Sequence, residues 1–460
     1  MWWVVALLGC VVAYLAIGSA AAPGGPVFAV ECVILAGIAG GQIVDWVNRK
    51  SGARLPPLLG MLIAGCCLRN AAGVRVDKRT SSSLRTAALS LILCRAGLGL
   101  DTEALRRLRW AAFRLAALPC LVEATVAAIL GFLLFSLPAP WCATLGFVVA
   151  AVSPAVVVPS LVDLDRQGYG TKTGIPTLVV AAAALDDVFS LAGFGVSLGF
   201  ALDTSDRLPA WSRAPLELFL GATVGSGAAL ALRYASTEDI QKRAAALGVA
   251  ALAATFGLKH LGFSGASALA TLALATIAAR DWGRQSSDLV GARFSRAWTL
   301  VAQPALFSLL GVAVDLGDLP PRTAALAVLL VVVGAAFRLG ATAAAVAPSL
   351  PRTADRLFVA LAWLPKATVQ AAVGAVPLDA ATTDTQENRA RIILAVSVIA
   401  IILTAPLGAV AISVSGPKLL QKEEPAVVLP NDDDDDNNVL TLRLEEQQPQ
   451  KSPQNDNETR

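Results

Sequence analysis

Histidine is nearly missing from this sequence: His260 stands alone among 460 residues, which excludes a histidine-rich metal centre. Charge is also scarce, since Asp, Glu, Lys and Arg make up 15% of the chain against 55% apolar residues, and that mixture cannot cover a water-facing surface. No stretch combines clustered Lys and Arg with aromatic side chains, so nucleic acid has nothing to bind. The seven cysteines (Cys10, Cys32, Cys66, Cys67, Cys94, Cys120 and Cys142) lie in apolar stretches without Cys-x-x-Cys spacing. They read as small buried hydrophobes rather than a disulfide framework.

What the chain has instead is long apolar runs. A membrane helix needs about 20 mostly apolar residues, and fourteen segments fit: 2–22, 27–47, 57–70, 82–100, 109–136, 139–162, 173–201, 213–233, 244–258, 263–279, 298–315, 322–347, 355–376 and 390–414, the third and ninth being short. Barrel strands would be roughly ten residues long and would alternate. The expectation is an all-α polytopic membrane protein. Gly18-Ser-Ala-Ala-Ala-Pro23 resembles a small-residue cleavage site, so a signal peptide competes with a retained helix at 2–22, and the missing basic leader favours the helix.

Lys and Arg are denser in the connections after even-numbered segments, including Arg49, Lys50, Arg54, Arg106, Arg107, Arg109, Lys242, Arg243, Arg280 and Arg284. That places both termini in the cytoplasm, although Arg75, Lys78 and Arg79 run against it. Residues 417–460 carry 5 basic and 11 acidic side chains, with the run Asp432 to Asp436, and read as a disordered acidic cytosolic tail. Asn457-Glu458-Thr459 fits the glycosylation pattern, but a cytoplasmic site would not meet the transferase.

Ionisable side chains at bilayer depth are costly and read as functional. Glu123, Asp186, Asp187, Arg338 and Lys366 fall near segment centres. Glu31, Glu217 and Asp315 lie close enough to segment ends for water to reach them, and Arg95 is placed to snorkel. Asp186 and Asp187 are adjacent, about 100° apart around a helix, so they cannot serve one identical role. Burial and a like-charged neighbour both oppose ionisation. Such a carboxylate can hold either a proton or a small hard cation. Arg338 pairs with Glu123 in the simplest arrangement, or with Asp186 in the alternative.

Prolines mark two interruptions. Ser153-Pro154-Ala-Val-Val-Val-Pro159-Ser160 and Trp363-Leu-Pro365-Lys366-Ala-Thr368-Val-Gln370 both break apolar segments, and irregular backbone at that depth is tolerated where it lines a cavity or is buried in protein. The two segments stand seven apart in order, so they run in opposite directions, and segments 3–7 and 10–14 read as inverted five-helix repeats with two crossing broken helices. Lys366 is then placed to offset carbonyl ends at the midplane.

These residues carry a resemblance. Arg95-Ala-Gly-Leu-Gly-Leu-Asp101, Ser153 to Pro159, Leu185-Asp-Asp-Val188 with Gly193-Phe194, and Pro365-Lys-Ala-Thr-Val-Gln370 make the chain resemble the NHA branch of cation/proton antiporters, the sodium/hydrogen exchanger 9B subfamily, from about residue 27 to 415. The resemblance implies an NhaA-like antiporter fold, a homodimer in membrane lipid, no cofactor, and transport of Na+ or Li+ against H+ by an elevator-like movement. It implies an extra N-terminal helix at 1–26, a dimerisation domain at 27–108 and 244–318, a linker at 206–243, and a core domain at 109–205 and 319–416. It further implies that Asp187 is the principal cation and proton carrier with Asp186 its helper, and that Ser153, Pro154, Pro159, Lys366, Thr368 and Gln370 line the site. Bacterial relatives generally have Lys where Arg338 stands, and Arg does not readily release a proton, so electrogenic exchange is not assumed. The alternatives are a K+/H+ antiporter, a sodium-coupled organic-anion symporter, a non-transporting receptor or scaffold, and an intramembrane aspartyl protease. The last needs aspartates on different helices, and Gly97-Leu-Gly-Leu-Asp101 is one residue too long for its motif.

Overall fold

Proline and glycine decide where the helices start and stop. Pro26 opens the first one, its fixed φ suiting the first turn, and Gly52 closes it at φ 67. The computed structural model describes residues 25–52, 55–100, 102–202, 210–234 and 239–422. Segment 2–22, its signal-peptide alternative and the acidic tail lie outside the described residues.

Seventeen α-helices occur among the described residues: α1 (Pro26–Ser51), α2 (Leu58–Ala72), α3 (Lys78–Leu98), α4 (Thr102–Phe135), α5 (Ala139–Ala150), α6 (Pro154–Arg166), α7 (Ile175–Ala201), α8 (Ala210–Tyr234), α9 (Ile240–His260), α10 (Ser264–Trp282), α11 (Arg284–Ala297), α12 (Gln303–Val312), α13 (Pro321–Val346), α14 (Thr353–Ala362), α15 (Thr368–Val373), α16 (Val376–Ala380) and α17 (Asp384–Leu419). A π-helical turn, Trp298–Ala302, joins α11 to α12. Seven spans among them, counting α5 with α6 as one, are long and apolar enough to cross a membrane. Large apolar side chains such as Phe132, Leu133, Phe219, Val332 and Phe337 face outward, as they do where lipid is the solvent.

Lipid gives helices no hydrophobic reason to associate, so close backbone contact has to supply the attraction. Glycine provides it where α1 meets α2. A methyl group on Gly60 would lie 2.0 Å from the Gly40 carbonyl oxygen, and one on Gly40 would lie 2.1 Å from the Gly60 carbonyl oxygen. Gly60→Leu is therefore expected to cost about 1–3 kcal/mol, near the upper end because backbone cannot yield as a side chain does, read as a lowered melting temperature in detergent. An unchanged melt would show that the two helices do not approach this closely.

The helices fall into two packing groups. α4 packs on α5, α7 and α13, and α17 packs on α6, α13 and α14. In the other group α1, α2 and α12 pack together, and α10 packs on α3, α8, α9 and α11 and also meets α7 of the first group.

Three expectations need correction. Residues 284–297 read as a connection, yet they form α11, because Arg284, Asp288, Arg293 and Arg296 hide an amphipathic helix from a hydropathy count. Ser287, Val290 and Phe294, spaced three and four apart, form its buried stripe. Glu217, expected within reach of water, is 1% exposed and accepts a hydrogen bond from the Ala266 backbone N–H at 3.1 Å, near the start of α10. A carboxylate there meets orphan amides and the positive end of the helix dipole. Pro159 does not break its helix but lies inside α6.

Candidate functional site

Each interruption starts from a proline's missing N–H. α5 ends at Ala150, Ala151 turns extended (ψ 138), Ser153 stays extended (ψ 104), and Pro154 opens α6. On the other strand of the site α14 ends at Ala362, Pro365 follows, Ala367 adopts φ −161 and ψ −68, and α15 starts at Thr368. Backbone left unpaired at such depth must find partners, and the two breaks find each other. The Ser153 N–H donates to the Pro365 carbonyl at 2.7 Å. The Gln370 side-chain amide donates to the Val148 and Ala151 carbonyls at 2.9 and 3.0 Å, and the Lys366 N–H donates to Thr404 Oγ1 of α17 at 2.9 Å.

Beside this crossing is a fully buried charge network. Arg338 on α13 donates to Glu123 Oε2 of α4 at 2.7 Å, to Asp186 Oδ1 of α7 at 3.2 Å, to the Trp363 carbonyl at 2.8 Å and to the Ala150 carbonyl. Both pairings weighed from the sequence therefore occur, held by one planar guanidinium. Lys366 Nζ donates to the same Glu123 Oε2 at 2.7 Å, rather than standing against carbonyl ends. The other oxygen of Asp186 accepts from the Val152 N–H at 2.7 Å. Asp186 thus ties the first break to Arg338, and Arg338 ties it to the second.

Asp187 differs from its neighbour. It is 3% exposed, and its Oδ1 is buried with no hydrogen-bond partner among the described residues. The same holds for Ser153 Oγ, Thr368 Oγ1 and Gln370 Oε1, all on the two breaks. Glu123 Oε1 and Trp363 Nε1 beside them are also without partners, and all of these but the indole nitrogen are oxygens, the donor type a hard cation takes. Of the residues singled out from sequence, Glu123, Ser153, Asp186, Arg338, Lys366 and Gln370 are joined by hydrogen bonds in and around the crossing, while Pro159 lies beyond it on α6. The backbone groups Ala150 O and Val152 N–H were missed, and their only signal was the proline after them.

A cavity of about 490 Å³ approaches from one end, lined by Arg95 and Ala96 of α3, Pro154 of α6, Ala184 of α7 and Asp288 of α11. A second of about 490 Å³ shares Arg95 and is lined by Asn48, Pro159, Ser160 and Gln303. At a distance from the site, the buried Arg85 of α3 pairs with the half-buried Asp379 of α16, a charge pair the sequence did not disclose.

Residues 33–412 match the family described as sodium/hydrogen exchanger, transmembrane. The chain belongs to this family. Human sodium/hydrogen exchanger 9B2 is 39% identical over 419 residues, covering 88% of this chain and 78% of the relative. Human sodium/hydrogen exchanger 9B1 is 36% identical over 420 residues, covering 88% and 80%. Among solved structures the sodium proton antiporter MjNhaP1 from Methanocaldococcus jannaschii superposes with a TM-score of 0.68 at 17% identity, over 85% of this chain and 99% of that one. The exchanger is thus a multi-pass membrane transporter rather than an enzyme, and cation/proton antiport is its class of activity. The aspartyl protease alternative falls away with that assignment.

Proposed function

We propose that this exchanger moves Na+ or Li+ in one direction and H+ in the other through Asp187, which binds the two competitively. The observation that carries the proposal is the contrast between the two aspartates. Asp186 is held by Arg338 and the Val152 amide, whereas Asp187 Oδ1 lies buried and unpaired beside the crossing. A carboxylate denied water and a fixed counter-ion is stable only when neutralised by something mobile, a proton or a cation. Ser153 Oγ, Thr368 Oγ1 and Gln370 Oε1 are the further oxygens that would complete the cation's shell, and Asp186 would help by fixing the break beside it.

Charge counting supports one-for-one exchange. Glu123 and Asp186 balance Arg338 and Lys366, which leaves Asp187 as the group whose charge changes. We further infer that 109–205 and 319–416 move as a core against 27–108 and 244–318, through 206–243, with inverted repeats and an elevator-like displacement. The packing of α4 on α5, α7 and α13, and of α17 on α6, α13 and α14, supports that division, with α7 the element that also meets α10.

The test is proton flux in liposomes holding the purified protein, driven by imposed gradients of Na+, Li+ or K+. Flux with Na+ or Li+ that is indifferent to an imposed membrane potential is the expected result. Flux with K+ alone would reassign the cation, and absence of flux with all three would overturn the exchange reading.

A further inference from the structure

Arg95 opens one of the matched motifs and has no part in the exchange chemistry above. It is on the last turns of α3, partly buried, and among the described residues its guanidinium makes no hydrogen bond or ion pair. Its place is conspicuous because it lines both of the cavities that approach the crossing. The first of these reaches Pro154, where the first break ends, and Ala184, which precedes Asp187 by one turn of α7. The other charged side chains lining that cavity are Arg166 and Asp288, one of each sign, and the second cavity adds Asn48, Ser160, Thr299 and Gln303, which carry no charge. The three charged side chains of the first cavity sum to +1, and Arg95 alone among the described residues lining the second cavity is charged, with the sign of the transported ion.

We propose that Arg95 is the residue that sets the apparent affinity for the cation, by holding a positive potential over the route into the site. The inference rests on the exchange reading of Asp187. A cavity with low-dielectric walls focuses the field of a charge placed in it, so a fixed guanidinium there lowers the local concentration of monovalent cations and limits how well the site fills at low cation concentration. A proton carries the same charge and meets the same field, so the effect on the cation is read at fixed pH. The arrangement would keep the exchanger idle until its cation accumulates. The competing account is local: a cation near a helix C-terminus satisfies the dipole, and Arg95 sits where that helps α3. That account predicts altered stability and unaltered transport.

The experiment measures cation-driven proton flux against cation concentration for the full-length wild type and for Arg95→Gln and Arg95→Lys in liposomes, with thermal melts alongside. Removing the charge is expected to lower the KM for the cation by roughly three- to tenfold with kcat changed much less, an effect that shrinks as ionic strength rises. Arg95→Lys should keep the wild-type KM. An Arg95→Gln protein with unchanged or raised KM overturns the proposal, and so does one that folds but exchanges nothing, because a charge that governs access alone is not needed for turnover. As a second route, Arg95→Cys treated with a cationic methanethiosulfonate should regain the wild-type KM, and the same protein treated with a neutral reagent should not. Wild type carrying its native cysteines serves as the control. Failure of any of these with wild-type flux intact leaves the Asp187 reading standing; loss of that reading would show as no flux in the wild type.

Discussion

Asp187→Asn is expected to abolish exchange while leaving the protein folded and somewhat more stable. The amide has nearly the carboxylate's shape but neither releases a proton nor neutralises a cation, so flux driven by Na+ or Li+ should fall to that of protein-free liposomes. Stability should move the other way. Asp187 Oδ1 is buried without a partner, and the amide keeps the shape while removing the cost of holding a negative charge there. A raised melting temperature together with lost flux is the combination a structural role could not produce, since a residue kept for packing would lower both. An Asp187→Asn protein that still exchanged would end the assignment. Competition adds a further mark in the wild type: the apparent KM for Na+ should rise as the pH is lowered, because protons occupy the same carboxylate.

The second large effect is expected at Glu123. One of its oxygens accepts from both Arg338 and Lys366 at 2.7 Å, with all three side chains buried, so Glu123→Gln leaves two cations facing each other without their shared anion. Breaking a buried pair from one side costs about 3–5 kcal/mol; Lys366 loses the carboxylate it donates to, while Arg338 keeps Asp186. Lys366→Met should cost less, because Arg338 still satisfies Glu123. Combining Glu123→Gln with Arg338→Met should be less than additive in the melting free energy, since either change already destroys the pair. Full additivity would mean that the two residues do not meet. Exchange by the double variant, if it refolds, separates the network's structural part from its transport part.

How legible each part was in the sequence follows from what hydropathy can register. Asp186, Asp187, Glu123, Arg338 and Lys366 stood out because a charge in an apolar window has no cheap explanation. Pro154 and Pro365 stood out because each removes a backbone donor, and both mark the breaks where they lie. Pro159 is the same residue type with a different outcome, because the helix continues around it. The pairing of Ser153 with Pro365 and of Asp186 with Val152 runs through main chain, which every residue shares and no sequence pattern reports. α11 was hidden by its charges, and Glu217 by its position near a segment end, where exposure was the cheaper assumption. Arg85 and Asp379 were missed because each lies toward the polar margin of an apolar run, yet α3 and α16 bring them together.

The hydrogen bonds between the two breaks bear on symmetry. Ser153 to Pro365, Gln370 to Val148 and Ala151, and Lys366 to Thr404 fasten the interrupted stretches to each other and to α17. A unit bound that way travels whole. If access alternates by displacing it, the oxygens proposed to hold the cation keep their arrangement on both sides of the membrane. The intrinsic dissociation constant for Na+ should then be the same from either face, and any directional preference would belong to the approaches, not to the site.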